Sequence, residues 1–318
     1  MADGSGLGRR GFALGGLLLL SALEALNMLR TDLAPNLRPP LLPAWERLAL
    51  PLTLLAIASF AVTLVQRPPW PSARVLWSYA VVGFGLFVAP EALLLLAGRA
   101  VPGFARVALF VLTPIFALVF EPYLGADTDE EILTAGLRTE SLLGALAAVA
   151  GALCIFPFFI PATWEEARGF GAVVLASACI AAANCFAVAV ARHTPGVSVT
   201  LFAAIATAAG AVCFLLIGAT SVQLILNWRA LVPELAWSAP VKVPALLILF
   251  WLMHRLPASQ MATRYILGPL IAVLVGALLL QPVLTLRSCL GLTLLTGGAV
   301  LLLRRSKTAQ ERPRFTGD

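Results

Sequence analysis

Charge is what this sequence has least of. Only 12% of its 318 residues are Asp, Glu, Lys or Arg, against roughly 25% in a soluble domain. So little charge cannot cover a surface that faces water, which excludes an ordinary soluble fold. Histidine is scarcer still. His193 and His254 are the only two, and each ends an apolar run beside an arginine. There is no His-Glu-x-x-His pair and no Gly-x-Ser-x-Gly elbow, so the chain offers no catalytic residues and is expected not to be an enzyme. The five cysteines all lie inside apolar runs and none forms a Cys-x-x-Cys pair. They are expected to be small buried hydrophobes, with no metal or redox cofactor. No phosphate-binding loop is present either, so any ATP-driven activity would need another subunit.

The formal net charge is +6. A basic chain can bind nucleic acid, but here Lys and Arg stand singly between apolar runs, apart from Arg9 and Arg10 before the first run and a group from Arg304 onward. No basic stripe interleaves with aromatics, so no nucleic-acid partner is expected. Charges at the edges of apolar runs are the mark of a membrane protein, and the partner is the lipid bilayer.

What is abundant is hydrophobe, at 60% of the residues. A spanning helix needs about 20 apolar residues. Ten stretches qualify: 12–29, 46–66, 74–97, 103–123, 141–160, 169–191, 198–222, 236–254, 258–280 and 285–303. Helices are expected throughout, because backbone groups in lipid must pair within the segment. The first run follows basic residues and mimics a signal peptide. Leu23-Glu24-Ala25 does not fit a cleavage site, however, so the run is read as a retained first span. Ten spans put both termini on one side. If that side is the cytoplasm, the inside ends hold thirteen basic residues, Arg255 and Arg264 among them, and the outside loops hold eight. This bias predicts cytoplasmic termini in a bacterial inner membrane. Asp127, Asp129, Glu130 and Glu131 cluster between spans four and five and read as a solvated loop, not a metal site.

The two halves repeat. Pro114-Ile115-Phe116-Ala117-Leu118-Val119 in span four matches Pro269-Leu270-Ile271-Ala272-Val273-Leu274 in span nine, 155 residues on. Gly144 and Gly151 match Gly291 and Gly298, 147 residues on. Five spans per unit is an odd number, so the second unit must enter the membrane upside down. Inverted repeats are a hallmark of secondary transporters. The expected fold is therefore all-α integral membrane, with ten transmembrane helices as two inverted five-helix repeats.

These residues also resemble a known family. Pro90-Glu91-Ala92-Leu93-Leu94-Leu95, Ala108-Leu109 and the Pro114 motif, then the Pro269 motif, Leu284-Thr285, Leu290-Gly291 and Gly297-Gly298, are similar in order and spacing to the EamA-type branch of the drug/metabolite transporter superfamily. The resemblance spans two EamA-like units, 10–160 and 169–305, followed by a cytoplasmic basic tail at 306–318. It implies a basket-like fold with a central cavity and a small-molecule solute, such as a metabolite or amino acid, as cargo. The family usually carries a glutamate soon after each proline motif. This chain has Gln281-Pro282 in the second half, while Glu121 comes early in the first.

Ionised side chains at bilayer depth cost about 2.5–3.5 kcal/mol each, so they need a partner or a function. Glu91 in span three and Lys242 in span eight sit at matching depth in matching helices; an ion pair across the cavity would offset their desolvation, and the alternative is that each snorkels to the outer interface without touching the other. Glu24 late in span one and Asn184 in span six complete the candidate substrate-binding residues. Asn27 lies near Glu24. Trp77, Trp237 and Trp251 read as an interface belt. Pro90, Pro240 and Pro244 lie within spans and should bend them, with span eight broken beside Lys242. The leading reading is a permease or exporter working by alternating access. The alternatives are a non-transporting membrane partner and, less well supported, an intramembrane enzyme.

Overall fold

The computed structural model describes residues 4–33, 42–98, 100–125, 139–156, 159–194, 196–220, 228–280 and 285–304. Among these all regular structure is helical. Among the described residues nine helices are long and apolar enough to cross a bilayer. They are Gly11–Arg30, Ala44–Gln66, Ala73–Ala97, Gly103–Leu124, Trp164–His193, Val199–Thr220, Trp228–Met253, Ala258–Leu278 and Leu286–Leu303. A tenth apolar helix, Thr139–Ile155, is shorter. In chain order the ten correspond one for one to the expected stretches and are called spans one to ten. The acidic cluster from Asp127 to Glu131, the Gln281-Pro282 pair and the basic tail lie outside the described residues. Large apolar side chains point outward, such as Val65, Leu278 and Leu286 at 77–84% exposure. Only lipid suits such a surface, and the chain is a multi-pass helical membrane protein. The same inversion corrects one expectation for cysteine. Cys185 is buried, but Cys289 is exposed on the outer face, where a small hydrophobe costs nothing in hydrocarbon.

The boundaries moved where local chemistry outweighed hydropathy. Span five stops at Ile155, ahead of Phe156-Pro157, because the residue before proline disfavours the helical region. Span six starts at Trp164, earlier than expected. Thr163 Oγ1 accepts from the Glu166 N–H at 3.2 Å and the Glu166 carboxylate accepts from the Thr163 N–H at 3.3 Å. This capping box satisfies two otherwise orphaned donors. Span eight begins at Trp228, eight residues before the expected start, and so takes Glu234 into the helix.

Spans three and eight each contain a five-residue π-turn, Phe84–Val88 and Ser238–Lys242. Ala89 N–H donates to Phe84 O and Val243 N–H to Ser238 O, five residues back in each case. Pro90 and Pro244 follow directly at the second position of the next α-helical segment. Span eight is thus not broken at Lys242 as expected. The wide turn absorbs the prolines, which have no N–H to continue the regular ladder. Spans four and nine are interrupted instead. Their helices run Gly103–Phe110 then Thr113–Gly125, and Ala258–Ala262 then Arg264–Leu280.

The tightest crossing joins spans five and ten. A Cβ on Gly151 would lie 2.7 Å from Gly291 O, and one on Gly291 would lie 2.9 Å from Gly151 O. Gly144 and Gly298 face each other in the same way. As one chain rises the other falls, so the helices are antiparallel. Glycine is required here because the two backbones touch. Span two packs antiparallel on span seven, with Leu52 near Gly210 and Thr63 Oγ1 bonded to Thr200 Oγ1 at 3.1 Å. Span four packs on span six and span one on span nine; span three packs on span six and span one on span eight. Gly298→Ala should therefore destabilise the protein by about 1–3 kcal/mol through overpacking. Gly297→Ala, whose new Cβ meets open space, should leave the thermal unfolding midpoint in detergent unchanged. Equal midpoints for the two variants would contradict the crossing.

Candidate functional site

A cavity of about 400 Å³ lies inside the bundle. That volume falls in the range that takes a small ligand, roughly 300–1,000 Å³. Its walls come from spans one to four and six to nine, while spans five and ten contribute nothing to it. Most of the lining is apolar, including Leu20, Phe87, Phe110 and Leu249. The polar lining is Glu24, Asn27, Glu91, Lys242, Arg264 and Tyr265.

Three of the four residues singled out from sequence, Glu24, Glu91 and Lys242, thus share one cavity. Asn184 does not line it. It is fully buried in span six beside Tyr265, and its Nδ2 donates to Ile180 O at 2.9 Å.

A Glu91–Lys242 ion pair does not form. Lys242 Nζ donates to Glu234 Oε1 at 2.6 Å. Glu234 also takes Arg30 at 3.2 Å and accepts from Ser238 Oγ at 3.4 Å. Glu91 lies in the field of Arg47, Arg106 and Lys242. Among the described residues it has no ion pair within 4.0 Å. Helix geometry explains the choice of partner. In a regular helix, residues eight apart are about 80° out of register around the axis. The π-turn inserts one residue, so Glu234 and Lys242 behave as a heptad pair two turns apart on one face. Helical side chains also lean toward their own N-terminus, which carries Lys242 back toward Glu234. The sequence reading missed Glu234 because it placed the residue in a link.

Around this cluster Trp237 Nε1 donates to Asn27 Oδ1 at 3.2 Å, and the Arg30 guanidinium sits 4.7 Å from the Trp237 ring centroid. These contacts fasten span one to span eight. Trp237 therefore does more than mark an interface. Trp77, at 72% exposure, faces outward.

The second polar group of the cavity is Arg264 and Tyr265 at the start of the Arg264–Leu280 helix. Arg264 had been counted as an edge charge, yet it is only 4% exposed. Its Nη2 donates to Tyr265 Oη at 2.6 Å, and its Nη1 lies 3.8 Å from Glu24 Oε1. Phe110 stacks on the Tyr265 ring with centroids 6.1 Å apart. The signal available in sequence was depth, since Arg264 stands six residues into the stretch expected to form span nine. Glu121, the residue noted as early against the family pattern, has a local role. Its Oε2 accepts the Ser259 N–H at 3.3 Å, at the start of the short Ala258–Ala262 helix, where N–H groups lack partners.

No family model and no curated protein matches the sequence. The fold is shared with a solved crystal structure at a TM-score of 0.68, covering 91% of this chain and 97% of that one, with 17% of residues identical. At that identity the likeness speaks for the arrangement of helices alone.

The Glu234–Lys242 pair gives a direct test. Burying one charge without its partner is far costlier than burying the pair. Glu234→Gln should destabilise the protein, and adding Lys242→Met should recover part of the loss. The coupling in a double-mutant cycle should be about 1–3 kcal/mol. The cycle of Glu91→Gln with Lys242→Met should be close to additive. A larger coupling for Glu91 than for Glu234 would reverse the assignment.

Proposed function

We propose that the chain is a secondary transporter that moves a small metabolite through this cavity by alternating access. The observation that carries the reading is the cavity itself: one chamber within the bundle, walled by four spans from each half and holding acidic and basic side chains. A fixed chamber between two related halves can open to one side and then the other if the halves exchange conformations.

Several features support an inverted repeat and the EamA-type resemblance. The π-turns recur 154 residues apart, each running into an Ala-Pro or Val-Pro step. The helix pairings also map onto themselves when spans one to five are exchanged for six to ten. Span four on six becomes span nine on one, and span three on six becomes span eight on one. The glycine crossing behaves likewise, because Gly144 meets the repeat counterpart of Gly151 and Gly151 meets that of Gly144. An antiparallel pair of equivalent helices is what a two-fold axis in the membrane plane produces. We place both termini in the cytoplasm of a bacterial inner membrane, on the arginine bias.

The test is flux. Purified protein in liposomes should move at least one radiolabelled solute from a panel of amino acids, organic acids, amines and sugars. Ala245→Trp, which fills the chamber from span eight, should abolish that flux while the protein remains folded by its unfolding midpoint. Undiminished flux with the chamber filled would overturn the reading.

A further inference from the structure

We infer that Arg264 is an oxyanion subsite, and that the solute entering the cavity carries a carboxylate on an apolar body. The inference rests on the transporter reading only in calling that occupant a cargo.

Arg264 is only 4% exposed and lines the chamber. Arginine has five N–H donors and cannot lose its charge in a protein. Here Nη2 has Tyr265 Oη, while Nε and Nη1 have no hydrogen-bond acceptor among the described residues. Glu24 does not supply one. Its oxygen stands 3.8 Å from Nη1, whereas charge-assisted hydrogen bonds close to about 2.7–2.9 Å. The Tyr265 ring, 4.7 Å from the guanidinium carbon, and the bond to its hydroxyl hold the group in place. A cation thus stands in the chamber wall with its position set and two donors unspent but covered, so a carboxylate reaches them by displacing the Glu24 side chain that lies against Nη1. A carboxylate is the complementary group, because it presents two acceptors in one plane.

The other charged groups of the chamber are less available. Lys242 is held by Glu234 at 2.6 Å, and Glu91 is an acid, which repels a carboxylate. Between the two polar regions the walls are Leu, Phe, Val and Pro, which suits an apolar body and not a sugar. Glu24 then acquires a role. Its carboxylate approaches the guanidinium that the solute needs, so the two compete, and removing its charge should favour the solute.

The probes are phenylacetate, its neutral isostere phenylacetamide, 2-phenylethylammonium and inorganic phosphate. Each is titrated by calorimetry against the full chain in phosphatidylcholine nanodiscs. Phenylacetate should bind about tenfold or more tighter than the amide, the factor expected for one buried charged hydrogen bond. Arg264→Gln should remove that preference and Arg264→Lys should restore part of it. Glu24→Gln should tighten phenylacetate severalfold and leave phenylacetamide unchanged. Should Arg264→Gln not fold, Glu24→Gln still decides, because phenylacetate should raise its unfolding midpoint more than that of the unmodified chain. Equal affinity for acid and amide, tighter binding of the ammonium, or no gain in Glu24→Gln would overturn the subsite. Phosphate binding as tight as phenylacetate would overturn the part assigned to the apolar walls. Loss of phenylacetate binding when phosphatidylglycerol replaces phosphatidylcholine would reassign the site to a lipid headgroup and overturn the free-solute claim. Carboxylate binding without flux in liposomes would leave the subsite standing and remove the transporter reading. Flux of amines without carboxylate binding would do the reverse.

Discussion

In hydrocarbon, nothing draws two helices together except the fit of their surfaces and the polar groups they share. Lipid tails are as apolar as leucine, so burial of leucine alone gives no preference for one helix over another. The fit between spans five and ten is therefore decisive. Four glycines let two backbones touch, which no larger residue allows at that crossing. These spans stand outside the chamber wall, and their tight contact leaves the other eight helices to enclose a space. Span six continues the theme at the centre with buried Ala176, Ala183 and Ala187, small residues against which spans three and four pack closely.

The second constraint is the cost of charge. An ionised group inside the bundle is costly without a partner, and the quality of the match differs from place to place. Arg30, Glu234 and Lys242 meet at 2.6 and 3.2 Å and join span one to span eight. Glu24 and Arg264 meet at 3.8 Å and leave donors unused. A tight cluster fixes helices, while a loose pair leaves hydrogen-bonding capacity for something else. That contrast separates a cluster that holds the wall together from a pair that leaves guanidinium donors unsatisfied.

The π-turn of span eight connects the two constraints. Pro240 and Pro244 make a regular ladder impossible through that stretch. The wider turn that replaces it rotates Lys242 onto the face of Glu234. The shift is one residue in register, and it changes which acid the lysine meets. Span three carries the same device ahead of Pro90, where it sets the direction in which Glu91 enters the chamber.

Much of this was legible in the sequence, because hydropathy over 20 residues is a local quantity and lipid enforces helices wherever it is high. The ten spans, the paired proline and glycine spacings, and the placing of Glu24, Glu91 and Lys242 within spans follow from residue order; that the three line one cavity is a matter of tertiary structure. Only the tertiary structure decided partners. Lys242 chose Glu234 over Glu91 through a change of helical register that no hydropathy window senses. Arg264 passed for an edge charge in sequence, since a charge six residues into a run can reach water or face inward. Its direction depends on the packing of span nine against span one, which brings Glu24 alongside it. Composition determines which segments enter the membrane; rotation of each helix about its axis, set by contacts with others distant in the chain, determines which charges meet.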